Sequence, residues 1–342
     1  MPVDTSTPAA APRLLPRGEH HPVPEVATSA VDWAALADRA LDLHPSTAVD
    51  ERLVDVTSTA QGQLPPDVRR ALADFTVDPG PAGALLVHGL PVGDLPATPA
   101  SPTAPSAKDR ISELILLTVA RALGEPVGYG PEHGGALVQN LLPVRAAAAT
   151  QTSTSSAVDL EFHTETAFHP HRPRYLLLSC LRSDRSARTY LCSVRALLEG
   201  LTAAERLVLS EPRFRTRVDE SFGGTPDMPL GPLVPVLSGD RAAPTLVFDD
   251  QLMVGTDPKA RRVLARLADV ARTRRLAVVL EPCDLLVVDN HACIHGRSSF
   301  SARFDGTDRW LQRAFVIEDL APSASDRAGR IINTDFANVP AS

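Results

Sequence analysis

The first third of the chain carries mostly helical patterns of apolar residues. Residues 31–43 have apolar side chains at helical spacing, and residues 65–74 begin with proline, which the first turn of a helix tolerates. Residues 108–123 form a longer amphipathic pattern that ends at a glycine. Between these patterns, the apolar run 83–89 predicts a buried strand, and residues 92–107, rich in Pro, Ala, Ser and Thr, predict a surface loop.

From residue 135 onward the pattern changes to short apolar runs that predict strands. Two helices interrupt them: one begins after Thr202, which forms a capping box with Glu205, and one begins at Pro258 and ends near residue 274. The predicted strands are residues 136–142, 159–162, 175–181, 189–193, 214–220, 233–237, 245–248, 276–281, 284–289 and 311–317. Many strands with few crossover helices predict a mainly β fold with flanking helices and a double-stranded β-helix (jelly roll) core.

The length of 342 residues fits one large catalytic domain. Residues 1–28 are rich in Pro, Ala and Thr and lack the apolar stretch of a signal peptide, so they predict a disordered N-terminal leader. We expect a single domain over residues 29–342, with the jelly roll at about 135–320 and helices packed outside it. Apolar runs are too short to span a bilayer, so no membrane partner is expected.

Charge and cysteine content narrow the function further. The net charge is −7 at pH 7, which argues against nucleic acid as a partner. The four cysteines form no C-x-x-C pair and no dense disulfide framework, which is typical of reduced, buried thiols. A cytoplasmic protein is therefore expected.

The segment 159–165 carries the most informative chemistry, because His163 and Glu165 stand two residues apart. On a strand, such residues point to the same face, so both can bind one metal ion. His291 and His295, in the segment 290–297, are candidates for a third ligand. Two histidines and one carboxylate form the facial triad that leaves coordination positions open on non-heme Fe(II).

Arg309 adds a second kind of site. A cosubstrate with two carboxylates chelates the metal through its keto-acid end and needs a fixed guanidinium for the other end, which Arg309 can supply. With these residues, residues 83–320 resemble the clavaminate synthase-like Fe(II)/2-oxoglutarate-dependent oxygenases. Within that group the chain is most similar to bacterial hydroxylases of free arginine, citrulline, lysine or asparagine.

The resemblance implies roles for individual residues. His163, Glu165 and His295 would bind Fe(II), which reacts with O2; His295 is preferred over His291 because a glycine follows it and the family interval of fourteen residues separates it from Arg309. Arg309 and Thr189 would bind 2-oxoglutarate. Arg313, on the same strand face as Arg309, would bind the substrate α-carboxylate. His169 and His171 are expected at the rim of the site.

Substrate specificity is expected from Gln139, from Asp249, and from residues 144–158, a segment rich in Ala, Ser and Thr that could form a lid. Ser153 in that segment and Glu165 complete the predicted substrate contacts. Relatives that act on arginine commonly have a second acid where this chain has Gln251, which argues against a guanidinium. One carboxylate beside one amide suits a ureido group, an amide or a single ammonium. The alternative is that 249–251 is only a turn.

The sequence therefore predicts a dioxygenase that hydroxylates C3 or C4 of a polar free L-amino acid in natural-product biosynthesis. Other functions stay open: a substrate tethered to a carrier protein, desaturation or cyclisation, a jelly-roll metalloenzyme that does not use 2-oxoglutarate, and a binding protein without catalysis. The oligomeric state is also open.

Overall fold

The computed structural model describes residues 23–44, 48–104, 108–225, 227–334 and 336. Its α-helices are α1 (Ala34–Leu41), α2 (Glu51–Ala60), α3 (Pro66–Val77), α4 (Ile111–Leu123), α5 (Val194–Gly200), α6 (Ala203–Leu209) and α7 (Pro258–Arg274). None of the helices in the described part of the chain combines the length and apolar character that crossing a bilayer requires.

Strands dominate the second half of the chain, so the fold is mainly β with helices. They are β1 (Glu25–Ala27), β2 (Ala84–His88), β3 (Glu125–Tyr129), β4 (Gln139–Leu141), β5 (Leu160–His163), β6 (Tyr175–Arg182), β7 (Thr189–Ser193), β8 (Phe214–Thr216), β9 (Leu237–Ser238), β10 (Thr245–Leu246), β11 (Met253–Gly255), β12 (Leu276–Val278), β13 (Asp284–Asp289), β14 (Cys293–Arg297), β15 (Trp310–Ile317), β16 (Arg327–Ala328) and β17 (Ile331–Ile332).

Two sheets contain most of these strands. The larger sheet has the order β1-β2-β13-β6-β15-β3-β17-β16, and β4 also pairs with β15. The smaller sheet has the order β12-β7-β14-β5, with antiparallel neighbours throughout. Since neighbouring strands come from distant parts of the chain, the sheets bring early and late segments together.

Side-chain alternation gives the larger sheet two apolar faces. Leu177 and Val287 pack with the core residues of α1 to α4, whereas Leu178 and Leu286 pack with residues of the smaller sheet such as Leu191. This follows from the two-residue period of a strand, which sends successive side chains to opposite faces. A sheet covered on both faces has near-continuous apolar strands, as β6 and β13 do.

The outer face of the smaller sheet is covered by the last three helices. Cys192 and Ile294 from the sheet pack with Leu197 of α5, Leu209 of α6 and Leu267 of α7. The layers are therefore helices, larger sheet, smaller sheet and helices. Helices cover the outer face of each sheet, and the inner faces of the two sheets pack against each other.

The structure agrees with several predicted elements and shortens others. The bounds of 189–193 and 284–289 are confirmed, and α7 begins and ends as predicted. In the run 214–220 the strand stops at residue 216 and a 3-10 turn begins at Glu220, whereas in the run 233–237 only Leu237 belongs to a strand. These runs lie in two-stranded ladders, where few hydrogen bonds hold a strand in register.

Other elements differ from the prediction. The expected helix over 31–43 is a 3-10 turn, Ala30–Trp33, followed by α1. The helices α2 and α5 and the strands β3 and β14 were not predicted. Most of the expected leader, residues 1–22, lies outside the described residues, as do residues 105–107 of the predicted loop. Residues 25–27 of the expected leader form β1, which pairs in parallel with β2, and the division at residue 29 stays a prediction.

Replacing a side chain between the helices and the larger sheet should destabilise the protein. Leu177 is fully buried, and Leu177→Ala should lower the free energy of unfolding by about 2–5 kcal/mol, because the cavity it leaves cannot collapse fully. Leu207→Ala, at a residue that is 54% exposed, is the matched control and should change it by about 0.5 kcal/mol or less. Urea denaturation measures both, and equal effects would contradict this packing.

Candidate active site

Three side chains converge where β5 and β14 pair. His163 and His295 are directly opposite each other in this antiparallel ladder, and their ring centroids are 4.3 Å apart. Glu165 follows two residues after His163, and its Oε2 lies 3.6 Å from Nε2 of His295. The ligand atoms of all three residues lie within 4.8 Å of one another, which is a separation that one metal ion can bridge.

Hydrogen bonding fixes the orientation of His163. Its Nδ1 lies 2.9 Å from the carbonyl oxygen of Glu161, so Nδ1–H donates there and Nε2 is left to bind a metal. Two imidazoles and one carboxylate, with ligand atoms on one side only, suit non-heme Fe(II) and leave positions open for other ligands. The residues present therefore fit the predicted metal.

Glu165 is held in place by a residue that the sequence analysis gave no role. β5 ends at His163, so Glu165 lies beyond the strand and strand alternation does not set its direction. Instead, Glu165 N–H donates to Oδ1 of Asn290 at 2.8 Å, and Nδ2 of Asn290 donates to the carbonyls of Glu165 at 3.2 Å and Pro173 at 2.9 Å. Thr166, at φ 50°, turns the chain directly afterwards. A buried asparagine at the end of an apolar strand was the available signal.

The electrostatics of the triad favour metal-binding protonation states. Burial alone would raise the pKa of Glu165, but Arg313, His295 and His163 together lower it to about 2. Burial, with a contribution from His163, lowers the pKa of His295 to about 4. At neutral pH the carboxylate is therefore ionised and the imidazole is neutral, as metal ligands must be.

A cavity of about 390 Å³ opens beside the triad between the two sheets. Most of the predicted site residues line it, namely His163, Glu165, His295, Thr189, Arg309, Arg313, Ser153, Asp249 and Gln251. Residues 151–154 of the predicted lid belong to its wall. Gln139 is not among the lining residues, because it lies beside Arg313 and reaches the site through it.

Arg313 is buried and has several partners. Its Nε donates to Oε1 of Gln139 at 2.9 Å, Nη1 lies 3.3 and 3.4 Å from the carboxylate oxygens of Glu165, and Nη2 donates to Glu132. Glu132 follows β3 and also lines the cavity, and no sequence signal pointed to it. Burial raises the pKa of Glu132 and Arg313 opposes this effect. Oε2 of Glu132 is buried without a hydrogen-bond partner among the described residues.

Arg309 stands directly before β15 and is 7% exposed. Burial lowers the pKa of this guanidinium from its ordinary value. Within the described ranges no carboxylate forms an ion pair with Arg309. A buried cation without such a partner is costly, so this end of the cavity favours an anionic ligand.

Asp249 serves both the cavity and a turn. An isolated antiparallel β-bridge pairs its backbone with that of His163. Its Oδ1 accepts hydrogen bonds from the N–H groups of Gln251 at 2.8 Å and Leu252 at 2.7 Å. Burial raises the pKa of Asp249, although His163 opposes this. The turn and the site are therefore compatible, since Oδ1 closes the turn while the side chain lines the cavity.

The other three histidines with a predicted place near the site, His169, His171 and His291, are not part of the triad. His291 Nδ1 is 3.1 Å from Nη1 of Arg174, and this histidine does not join the metal-binding group in the described structure. His169 packs against Tyr129 with ring centroids 4.8 Å apart, and His171 lies 3.2 Å from Asp326. Neither His169 nor His171 is a cavity-lining residue, although His169 packs against Phe222, which does line the cavity.

The fold and the site define a mainly β non-heme iron dioxygenase that depends on 2-oxoglutarate and O2. Residues 108–315 match the taurine catabolism dioxygenase TauD, TfdA family, and the chain belongs to this family. It is 39% identical over 287 residues to the L-asparagine oxygenase of Streptomyces coelicolor, a match that covers 81% of this chain and 84% of that protein.

A second relative and one solved structure are also similar to this chain. The L-lysine 3-hydroxylase of Catenulispora acidiphila is 38% identical over 286 residues, which cover 81% of this chain and 80% of that enzyme. A solved structure of asparagine oxygenase in complex with Fe(II), 2S,3S-3-hydroxyasparagine and succinate has a TM-score of 0.84 and 34% sequence identity. That alignment covers 91% of this chain and 99% of the solved one.

Removing the support of Glu165 should weaken metal binding. In Asn290→Ala the backbone of Glu165 loses its hydrogen bonds, so we expect Fe(II) affinity to fall about 10- to 100-fold, as is typical when outer partners of metal ligands are lost. Asn140→Ala, which removes a hydrogen bond to Trp310, is the control and should keep its affinity. Anaerobic chelator competition measures both, and equal affinities would argue against this role of Asn290.

The stability of the metal-free protein should fall on acidification. Because the pKa of His295 is about 4 when folded and 6.5 ordinarily, the unfolded chain binds more protons between these values, and stability is lost as pH falls through this window. His295→Asn should make the curve shallower by up to about 1.4 kcal/mol per pH unit. Urea denaturation between pH 6.5 and 4.5 in the presence of chelator tests this, and parallel curves would contradict it.

Proposed function

We propose that this protein is an Fe(II)/2-oxoglutarate-dependent dioxygenase that hydroxylates C3 or C4 of a polar free L-amino acid, in natural-product biosynthesis. The observation that carries the proposal is one cavity lined by the triad, by the buried Arg309 and by Arg313. The relatives named for lysine 3-hydroxylation and asparagine oxygenation support the same class of substrate.

We assign the metal ligands to His163, Glu165 and His295, with Arg309 and Thr189 holding the distal carboxylate of 2-oxoglutarate. The bound metal would supply the activation of O2, in which 2-oxoglutarate is oxidised to succinate and CO2. The chain's own contribution is to orient both substrates in a cavity closed by two sheets and to keep bulk water away from the reacting groups.

Arg313 is assigned to the α-carboxylate of the amino acid. Nε of Arg313 donates to Oε1 of Gln139, so Gln139 holds the guanidinium in place. This contact supports a positioning role for Gln139 in place of direct substrate contact. Glu165 and Glu132 flank the guanidinium and supply negative charge where the α-ammonium group would lie. This arrangement favours a free amino acid over a carrier-bound one, because a thioester has no α-carboxylate for Arg313.

The side chain of the substrate would meet Asp249, Gln251 and Ser153. One carboxylate and one amide suit an amide, a ureido group or a single ammonium better than a guanidinium, which prefers two carboxylates. Asp219 also lines the cavity, so a guanidinium would find a second carboxylate there. Gln251 therefore does not by itself decide against arginine, and the preferred class is a side chain that donates hydrogen bonds, as those of lysine, citrulline, asparagine and arginine do.

Several finer expectations belong to this proposal. We infer that the larger and smaller sheets form the double-stranded β-helix of the oxygenase, with the strands from β4 to β15 inside the expected core at about 135–320. A single domain over residues 29–342 and a cytoplasmic location stay predictions. The same holds for the involvement of a carrier protein, and the oligomeric state is open.

Turnover with a panel of amino acids tests the proposal. The protein with Fe(II), 2-oxoglutarate and O2 should form succinate and a product heavier by one oxygen with one or more of lysine, citrulline, asparagine and arginine. Mass spectrometry detects the product, and a loss of two hydrogens would show desaturation or cyclisation. The proposed function is contradicted if no amino acid, free or carrier-bound, supports turnover.

The variant Arg309→Ala tests the use of 2-oxoglutarate. It should raise the KM for 2-oxoglutarate about tenfold or more, because a charge-assisted hydrogen-bond pair is lost, while the KM for the amino acid changes little. An unchanged KM for 2-oxoglutarate would favour a metalloenzyme that does not use this cosubstrate.

A further inference from the structure

A second buried arginine lies beside the residues assigned to 2-oxoglutarate. Arg297 follows His295 by two residues on β14, so both side chains point to the same face of the smaller sheet. In the ladder of β14 with β7, Arg297 is directly opposite Thr189. Side chains at such cross-strand positions have Cβ atoms about 5 Å apart. Arg297, Thr189 and Arg309 all line the cavity.

The two guanidinium groups bring positive charge into a buried region. Arg297 is 5% exposed and Arg309 is 7% exposed, and the described residues offer neither of them a carboxylate at ion-pair distance. Asp159 is the acid whose charge acts on Arg297, but its Oδ1 accepts a hydrogen bond from the N–H of Ser299 at 2.7 Å. Two buried cations at one end of a cavity are costly unless an anion lies between them.

Arg297 is held rigidly and still has donors to spare. Its Nε donates to the carbonyl of Ser298 at 3.1 Å, and Nη2 donates to Oγ of Ser155 at 2.9 Å and to the carbonyl of Val158 at 3.4 Å. The ring of Phe300 packs on the guanidinium, with its centroid 5.1 Å from Cζ. These contacts occupy Nε and Nη2, so the two N–H groups of Nη1 are left for a ligand.

We propose that Arg297 is a second guanidinium contact for the distal carboxylate of 2-oxoglutarate, alongside Arg309 and Thr189. The inference rests on the proposed use of 2-oxoglutarate and extends it to a residue that no sequence signal singled out. Arg309 and Arg297 approach the carboxylate from the larger and the smaller sheet, so the anion links the two sheets at this end of the cavity. The hydrogen bond from Arg297 to Ser155 also connects this contact to the segment 144–158.

The test compares two keto acids that differ only at the distal end. Binding of 2-oxoglutarate and of 2-oxopentanoate, which has a methyl group in place of the distal carboxylate, is measured by anaerobic calorimetry with Mn(II) in the site. Arg297→Gln should weaken the binding of 2-oxoglutarate about tenfold or more and leave that of 2-oxopentanoate nearly unchanged, because only the first ligand has the group that Arg297 contacts.

Arg330→Gln is the matched control, because it removes a guanidinium that pairs with Glu125 and does not line the cavity. It should bind 2-oxoglutarate within about threefold of the native protein. Equal losses for both keto acids in Arg297→Gln, or no loss for either, would overturn the proposal. If Arg297→Gln does not fold, Arg297→Lys takes its place in the same comparison, with a smaller loss expected because an ammonium keeps the charge without the fork.

The outcome for the native protein separates this inference from the proposed function. Native protein that binds 2-oxoglutarate more tightly than 2-oxopentanoate upholds the use of the dicarboxylate whatever the variant does. Native protein that does not distinguish the two keto acids would contradict both the proposed cosubstrate and the role of Arg297.

Discussion

The register of β14 in the smaller sheet is the constraint on which the site depends. Its pairing with β5 sets His295 opposite His163, and its pairing with β7 sets Arg297 opposite Thr189. A slip of one residue would turn every one of these side chains to the face covered by α5 to α7. The apolar residues that alternate with them, such as Ile294, are fully buried on that face and therefore hold the register.

The two ends of the cavity differ in charge because of how the buried arginines are paired. Arg313 has Glu132 and Glu165 as partners, so its end is balanced or negative before any ligand binds. The charges of Asp184 and Asp159 act on Arg309 and Arg297, but neither arginine forms an ion pair among the described residues, so their end of the cavity favours an anion. A dianionic keto acid and a zwitterionic amino acid with a donor side chain would meet opposite electrostatic environments within one space, which gives each ligand its own position.

The parts of the fold that could be predicted are those in which the local pattern is unambiguous. The strand 284–289 is covered by apolar groups on both faces and flanked by acids, and α7 has a capping aspartate followed by proline. Short edge pairings were harder to predict. β1 lies in a segment whose composition is typical of disorder, and it pairs with β2 at the edge of the larger sheet. The sequence around residues 25–27 does not indicate which strand will pair with them.

The sequence by itself determined the ligand types, since a histidine and a carboxylate two residues apart, a distal histidine and Arg309 carry their chemistry in their side chains. Only the tertiary structure decided which further residues support them. Asn290 holds Glu165 across 125 positions, and Glu132 reaches Arg313 across 181 positions. Contacts of this kind have no local period, because they arise from the order in which strands pair in the two sheets.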